Sequence, residues 1–274
     1  MLTRIISALI ALPLAVFLIE AGGWAFLGLV TFVGGACVWE VLGMTQPDDR
    51  PTQVVFTAIG AGLCVGILTG RMGGAAALPI ATLLPIGALV WFLFRTGGME
   101  TVGARSAFAI TGLWWGGALL ATTASLRLLP AGSGWLYLAC MLAWGSDTAA
   151  YFTGRFLGKH KLYEKVSPKK TWEGAIGGVI FATLGAFGIR AFFELPIGTV
   201  DLAILAPMAA ILGQVGDLAE SMLKRSVGVK DSGTIMPGHG GLFDRVDALI
   251  FTGPPILAYA TLVLGHSVNW LNLP

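Results

Sequence analysis

Nine long apolar runs constrain this chain more than any other feature of its sequence. Each is close to the roughly 20 residues that an α-helix needs to cross the hydrocarbon core of a bilayer. The chain is 55% hydrophobic and 12% charged, whereas a soluble domain carries about 25% charged residues. The runs are Ile5–Ile19, Trp24–Met44, Val54–Thr69, Ala75–Phe94, Ala107–Leu126, Trp135–Phe152, Ala175–Phe193, Leu202–Leu218 and Val246–Leu264. Backbone groups in lipid must be satisfied internally, and the alternation of a membrane barrel is absent. The sequence therefore predicts an all-α, polytopic integral membrane protein with about nine transmembrane helices.

The distribution of basic residues predicts the orientation of these helices. Cytoplasmic loops collect Lys and Arg. With the N-terminus inside, 14 of the 17 basic residues fall on inner segments, whereas Arg71, Arg127 and Arg190 lie at outer positions. We therefore expect an N-in, C-out topology. The first run follows Arg4 and has no convincing small-residue cleavage site, so we expect a retained span rather than a signal peptide.

Polar chemistry is concentrated in the second half of the chain. We predict a transmembrane scaffold of about five helices over residues 1–134. Residues 135–274 then form a catalytic transmembrane region with cytoplasmic loops 153–170 and 223–243. Intramembrane charge in the first half is limited to Glu40, for which the sequence offers no motif. Charged side chains within or next to membrane-spanning segments are energetically costly, so the charged stretch 214–247 indicates a functional site.

The acids of this stretch form two pairs with a spacing of three residues. Asp217 precedes Glu220, and Asp244 precedes Asp247, so each pair shares one face if it is helical. Mg²⁺ prefers carboxylate oxygens and substrate phosphates. Two helix ends that bring Asp217 and Asp244 together would form such a metal site. The second interpretation is structural: the acids pair with neighbouring bases in an ion network at the interface. Those bases are Lys224, Arg225 and Arg245.

The loop before the seventh run is strongly basic. Its six cations are Arg155, Lys159, Lys161, Lys165, Lys169 and Lys170. They are typical of a topology signal that also attracts anionic lipid. The segment from Ser167 to Glu173 supports a second interpretation, because Pro168 ends the loop and Ser167 or Thr171 can cap the next helix. A helix N-terminus beside lysines is a phosphate site.

A glycine-rich loop, from Gly233 to Gly241, completes the polar stretch. Its glycines permit tight turns and close approach of the backbone to a ligand. His239 in this loop has three open roles: general base, phosphate donor, or hydrogen-bond donor within the loop. The acids, the basic loop and the glycine-rich loop together favour phosphoryl or nucleotidyl chemistry on a lipid at the inner headgroup level.

These residues resemble the signature of phosphatidate cytidylyltransferases, also called CDP-diacylglycerol synthases. The signature covers 27 positions and reads Ser221-x-x-Lys224-Arg225-x-x-x-x-Lys230-Asp231-x-Gly233, then Pro237-x-His239-Gly240-Gly241-x-x-Asp244-Arg245-x-Asp247. Residues 167–174 and 214–221 resemble two further motifs of the family. The motifs cover the chain from about Asp147 onward, whereas the first half is similar only as apolar spans.

The resemblance implies a reaction in phospholipid biosynthesis: CTP and phosphatidic acid give CDP-diacylglycerol and pyrophosphate. It implies Mg²⁺ held by Asp217 and Asp244, with K⁺ beside it. It also implies a homodimer in the inner or plasma membrane, in contact with membrane lipid, with its active site facing the cytoplasm; no nucleic-acid partner is expected. The expected catalytic residues are Asp217, Lys224, Arg225, Asp231, His239, Asp244, Arg245 and Asp247. The expected substrate-binding residues are Ser167, Lys169, Lys170, Thr171, Glu173, Ser221, Lys230, Gly240 and Gly241.

Two other classes of function compete with this reading. A secondary transporter would show inverted repeats and polar groups near the midplane, but here the polar groups cluster at one face. A CTP-dependent lipid kinase would release CDP rather than pyrophosphate.

Overall fold

A computed structural model describes residues 2–72, 76–95, 98–236, 238 and 240–271. The chain forms two compact units. The first contains residues 1–121, 231–243 and 270–274, and the second contains residues 122–230 and 244–269. The units are defined by packing, whereas the predicted division after residue 134 concerned function, and it stays a prediction.

Helices build the first unit, as the apolar runs predicted. They are α1 (Leu2–Ala21), α2 (Gly23–Thr45), α3 (Arg50–Leu68), α4 (Ala77–Leu93) and α5 (Met99–Gly112), and a π-helical segment, Leu113–Leu119, continues α5. The side chain of Arg4, one of the basic residues counted above, lies outside the described residues. Helix α2 packs against α3, α5 and the π segment. A Cβ at Gly34 would lie 2.8 Å from the Gly116 carbonyl oxygen, so α2 and the π segment approach each other closely at this glycine.

Asp49 ties three helices of the first unit together. It is the N-cap of α3, and its side chain accepts a hydrogen bond from Thr52 N at 3.3 Å. Its two oxygens also bind Arg95 at 2.6 Å, just after α4, and Arg105 at 2.5 Å, on α5. Burial alone would raise the pKa of Asp49, but the hydrogen bonds from Thr52 and Arg95 outweigh it, and the pKa is lowered.

The second unit is also helical and carries a short hairpin. Its helices are α7 (Gly132–Cys140), α8 (Ser146–Leu157), α9 (Trp172–Phe192), α10 (Thr199–Ser226), α11 (Phe243–Val246, of which Phe243 belongs to the first unit) and α12 (Leu249–Ala258). A π-helical segment, Met141–Gly145, joins α7 to α8, and another, Tyr259–Val263, follows α12. The strands β1 (Lys161–Tyr163) and β2 (Ser167–Thr171) pair antiparallel within the basic loop. The short helix α6 (Leu120–Ala124) and a 3₁₀ turn (Ser125–Leu128) precede α7. The hairpin was not expected from the sequence, which gave residues 153–170 only as a loop.

Among the residues that the structure describes, five helical segments are long and apolar enough to cross a membrane: Gly23–Thr45, Arg50–Leu68, Met99–Leu128, Trp172–Phe192 and Thr199–Ser226. Three shorter apolar helices, Leu9–Ala21, Leu78–Leu93 and Leu249–Val263, coincide with other predicted runs. The sixth predicted run is helical, but it belongs to neither group. Helix α9 exposes Ile176, Ile180 and Leu184 along one stripe, as a lipid-facing helix does. The protein is therefore an all-α membrane protein.

Candidate active site

The C-terminal half of α10 is held by its neighbours at Gln214, before the acidic pair Asp217 and Glu220. Gln214 Nε2 donates to Ser146 Oγ at 3.0 Å, on α8, and to the Ala175 carbonyl oxygen at 3.0 Å, on α9. One side chain thereby joins three helices, one turn before the acidic pair of α10. The sequence singled out Gln214 as part of a motif, and the structure gives it this positioning role.

A glycine brings α10 against the segment that carries Asp247. A Cβ at Gly216 would lie 2.8 Å from the Asp247 carbonyl oxygen and 2.5 Å from the Phe251 ring. A larger residue therefore has no room unless α12 moves. Asp217 follows Gly216 directly, so this contact sets the separation of Asp217 and Asp247, which interact electrostatically.

Asp217 is paired with the basic loop. Lys170 Nζ on β2 forms an ion pair with Asp217 Oδ2, and Ser221 Oγ lies 3.4 Å from Asp217 Oδ1. Both side chains of the ion pair are partly exposed. The hairpin thus delivers Lys170 to a carboxylate 47 residues away in sequence, and Ser221, predicted to bind substrate, touches the same carboxylate.

Lys224 joins the other acids in a buried triad. Its Nζ donates to Glu220 Oε2 at 2.8 Å and to Asp244 Oδ1 at 2.5 Å. The side chains are 10%, 1% and 7% exposed for Lys224, Glu220 and Asp244, so little water screens them. The ion network that the sequence left open as a structural interpretation is present at Lys224. It does not exclude metal binding, because it gathers the same carboxylates that a cation requires.

The acidic pairs do not both lie on helices. Asp217 and Glu220 share a face of α10, as the spacing predicted. Asp244 lies on α11, but Asp247 lies in the turn after it, where its Oδ1 accepts a hydrogen bond from Ala248 N at 2.8 Å. The helix ends before the second acid of that pair is reached, so helical periodicity does not determine how Asp244 and Asp247 are arranged.

The donor set of this cluster fits a divalent cation. The cluster joins the acids Asp147, Asp217, Glu220, Asp244 and Asp247 with the bases Lys170, Lys224 and Arg245. Fully ionised, these groups leave a formal surplus of two negative charges. Among the described residues, Glu220 Oε1 is buried and has no hydrogen-bond partner. Within the described part of the chain, no three His, Cys, Asp or Glu residues are already arranged around one point to hold a metal. Mg²⁺ in proteins commonly uses one or two carboxylates and completes its shell with water and substrate phosphates.

Thr171 and Glu173, both predicted to bind substrate, organise the hairpin and the start of α9. Thr171 Oγ1 accepts a hydrogen bond from Gly174 N at 3.1 Å and caps α9, one of the two caps that the sequence allowed. Glu173 Oε1 lies 2.6 Å from His160 Nδ1, and its Oε2 accepts from the backbone N–H groups of Lys159 and His160. These contacts hold the hairpin of β1 and β2 at the start of α9. Lys170 lies on β2.

The predicted cations outside the cluster, Lys169, Arg225 and Lys230, are exposed on the second unit. Arg245 of the cluster is also exposed, and Ser167 begins β2 at a half-buried position. Arg225 Nη1 donates to the Val229 carbonyl oxygen at 2.9 Å. Trp144 Nε1 donates to the Arg245 carbonyl oxygen at 3.0 Å, which fixes the backbone next to Asp244.

The glycine-rich loop belongs to the first unit. Met236 N donates to the Gly240 carbonyl oxygen at 3.0 Å, and Gly238 and Gly240 adopt φ values of 79° and 84°. Positive φ is strained for residues with a Cβ, which explains glycine at these two turn positions. Asp231 is exposed and Gly241 is buried. His239 and Pro237 lie outside the described residues, so the role of His239 stays open.

Glu40 is the residue that sequence reasoning missed. It binds the glycine-rich loop through three hydrogen bonds. The available signal was a carboxylate inside an otherwise apolar span, but its partner lies about 200 residues away and no spacing rule connects them.

Comparison with known proteins identifies the family. The sequence model described as the cytidylyltransferase family matches residues 2–263. The chain is 34% identical to the phosphatidate cytidylyltransferase of Pseudomonas aeruginosa over 274 aligned positions, covering 93% of this chain and 95% of that protein. It is 32% identical to the enzyme of the same name from Synechocystis sp., covering 95% and 97%. A shorter alignment of 120 residues is 44% identical to the Bacillus subtilis phosphatidate cytidylyltransferase and spans 44% of this chain and 45% of that protein. The chain therefore belongs to the cytidylyltransferase family.

Proposed function

We propose that this protein is a membrane-embedded nucleotidyltransferase that condenses CTP with phosphatidic acid to give CDP-diacylglycerol and pyrophosphate. Family membership and the names of the relatives support the reaction. The observation that carries the proposal is the buried triad of Lys224, Glu220 and Asp244 beside the Lys170–Asp217 pair. Such a cluster of opposite charges at helix ends suits phosphate chemistry rather than a lipid-facing surface.

The reaction needs positioning and charge stabilisation more than proton transfer. An oxygen of the lipid phosphate attacks the α-phosphorus of CTP and forms a new P–O bond. The bond from the α-phosphorus to the bridging oxygen breaks, and its electron pair leaves with pyrophosphate. The lipid phosphate is already anionic at neutral pH, so the chemistry requires no general base at His239.

The cations of the chain take the developing charge. Lys170 and Lys224 lie inside the acidic cluster, where they hold Asp217 and Asp244 in place. Arg225, Lys230 and Arg245 at the rim bind the phosphates of the incoming substrates. Fixed cations near the equatorial oxygens stabilise the transition state without reorganisation.

Asp217 and Asp244 are the residues that would hold Mg²⁺, with K⁺ beside it. When bound, Mg²⁺ neutralises charge on the attacking and leaving oxygens. Glu220 and Asp247 then orient the two ligands, because they lie beside them in the cluster.

The proposed setting of this reaction is the cytoplasmic leaflet of the inner or plasma membrane. We propose nine spans with N-in, C-out topology, from the asymmetry of the basic residues. The hairpin loop and the 223–243 loop then both face the cytoplasm, where CTP is available. We also propose a homodimer, from the family resemblance alone.

One assay tests the reaction class. Purified protein is incubated in mixed micelles with phosphatidic acid, CTP and Mg²⁺, and pyrophosphate, CDP and lipid product are measured together. We expect pyrophosphate and CDP-diacylglycerol in equal amounts, and neither product when phosphatidic acid is omitted. Release of CDP without pyrophosphate would identify a kinase and refute the proposal.

A further inference from the structure

A buried carboxylate in the first unit holds the glycine-rich loop. Glu40 lies on α2 and is 2% exposed. Its Oε2 accepts hydrogen bonds from Ser232 Oγ at 2.9 Å and from Phe243 N at 2.8 Å. Its Oε1 accepts one from Leu242 N at 2.9 Å. One side chain therefore fixes both ends of the loop, and two of the three donors are backbone groups.

The loop sequence is shaped around this carboxylate. A Cβ at Gly233 would lie 2.6 Å from Glu40 Oε1, and a Cβ at Gly241 would collide with both Ser232 Oγ and Glu40 Oε2. Any other residue at these positions would displace either the Glu40 carboxylate or the loop backbone. Gly233 and Gly241 belong to the signature of the family, and their contacts with Glu40 give a physical reason for glycine at both.

The chemistry of the contact makes it specific for a carboxylate. Both oxygens of an ionised carboxylate accept hydrogen bonds, and bonds to a charged acceptor are about twice as strong as neutral ones. An amide would present one NH₂ group to donors that need an acceptor. A buried carboxylate is costly unless it is fully hydrogen-bonded, so its use on a membrane helix indicates a role that an apolar side chain could not fill.

We infer that Glu40 is a positioning residue for cytidylyl transfer, because its carboxylate fixes the two ends of the glycine-rich loop, at Ser232 and at Leu242 and Phe243. The inference rests on the proposed function. It adds a residue from the first half of the chain, where sequence motifs gave only apolar spans. Phe243 is bonded directly to Asp244 in the chain, so the anchored backbone is also the backbone that leads into a predicted metal ligand.

The test compares three variants of the full-length protein. Glu40→Gln keeps the shape and removes one acceptor. Ser232→Ala removes one of the three donors. Val41→Ala is the control, because Val41 is fully buried on the same helix next to Glu40 and no hydrogen bond of its side chain is lost. Hydrogen exchange of the peptide that contains Leu242 and Phe243 reports the anchor, and KM and kcat for CTP are measured per folded molecule.

A loop that is misplaced and a protein that is merely less stable give different kinetics. Loss of folded protein lowers the activity per total protein but leaves KM and kcat per folded molecule unchanged, as we expect for Val41→Ala. For Glu40→Gln we expect faster hydrogen exchange of the loop peptide and a rise in KM for CTP of about ten-fold. A change of this size corresponds to the free energy of about one hydrogen bond. We expect a smaller rise for Ser232→Ala, since both backbone contacts remain.

The outcomes separate this inference from the proposed function. A wild-type protein that forms no CDP-diacylglycerol refutes the proposed function, while the exchange data still test the anchor. If the wild type is active and Glu40→Gln matches Val41→Ala in exchange and in KM, Glu40 has no positioning role. Faster loop exchange with an unchanged KM and kcat would equally overturn it.

Discussion

Replacing Lys224 by Met should destabilise the protein more than any single change at its polar rim. The side chains have similar lengths, so the main change is the loss of one charge between two buried acids. Lys224 contacts Glu220 at 2.8 Å and Asp244 at 2.5 Å, where the acid side chains are 1% and 7% exposed. Removing one partner of a buried ion pair costs about 3–5 kcal/mol because the other charge stays buried without compensation. That corresponds to roughly two to four powers of ten in the folding equilibrium.

A second substitution separates stability from activity. In Lys224→Met combined with Glu220→Gln, one uncompensated carboxylate remains instead of two. We therefore expect the double variant to recover about half of the lost stability. Turnover should stay about 100-fold below wild type in both variants, because the cation that the reaction uses is absent from both.

The assay follows unfolding by tryptophan fluorescence as the mole fraction of SDS is raised in detergent micelles. Lys165→Met is the matched control, since Lys165 is exposed on the hairpin and should change stability by no more than about 0.5 kcal/mol. Wild-type stability of Lys224→Met would refute the buried triad. Recovery of both stability and turnover in the double variant would show that Lys224 serves folding alone.

Three further predictions concern the acids and their supports. Asp217→Asn and Asp244→Asn should each abolish turnover while the protein still inserts, with partial rescue by excess Mg²⁺; near wild-type rates with unchanged Mg²⁺ dependence in both would place the metal elsewhere. Gly216→Ala should cost about 1–3 kcal/mol from overpacking against α12, whereas Gly188→Ala, which has open space around its Cβ, should not; equal unfolding midpoints would contradict the close approach. The pKa of Asp49 in the folded state is lowered from its usual value of 3.8. The ion pairs of Asp49 therefore add their full stability above pH 3.8, and the protein loses this stability as the pH falls below it, through the lowered pKa. The stability gap between wild type and Asp49→Asn should therefore be constant above about pH 5 and shrink at lower pH, and a gap that widens on acidification would reverse the sign of the argument.

Local signals in the sequence were sufficient for the helices and for one end of the site. Apolar runs of membrane length predicted helices, since lipid leaves the backbone no other partner. Thr171 was one of two possible caps for α9, and it is the cap that forms. Asp217 and Glu220 share a face of α10 because helical periodicity fixes neighbours three residues apart.

Contacts across long sequence separations could not be predicted in this way. Lys170 reaches Asp217 because a hairpin, formed by five residues of β2 against three of β1, carries it there. Lys224 was predicted to be catalytic or to join an ion network, and only the fold places it between Glu220 and Asp244. Asp247 lies in a turn because α11 ends at Val246, a boundary that hydropathy does not encode.

A comparison of Asp244 and Glu40 shows why such long-range contacts could not be predicted from the sequence. Asp244 stood in a dense motif and was assigned to a metal, whereas Glu40 stood alone in an apolar span and was assigned nothing. In the structure each side chain is buried and hydrogen-bonded, but the partners differ. Asp244 binds a lysine, whereas Glu40 binds the backbone of a loop. Backbone N–H groups carry no sequence signature, so a side chain that binds them cannot be found by searching for complementary charges. For an acid in a membrane helix with no nearby base, the productive search is for a glycine-rich segment whose backbone can close around it, and Gly233 and Gly241 meet that criterion here.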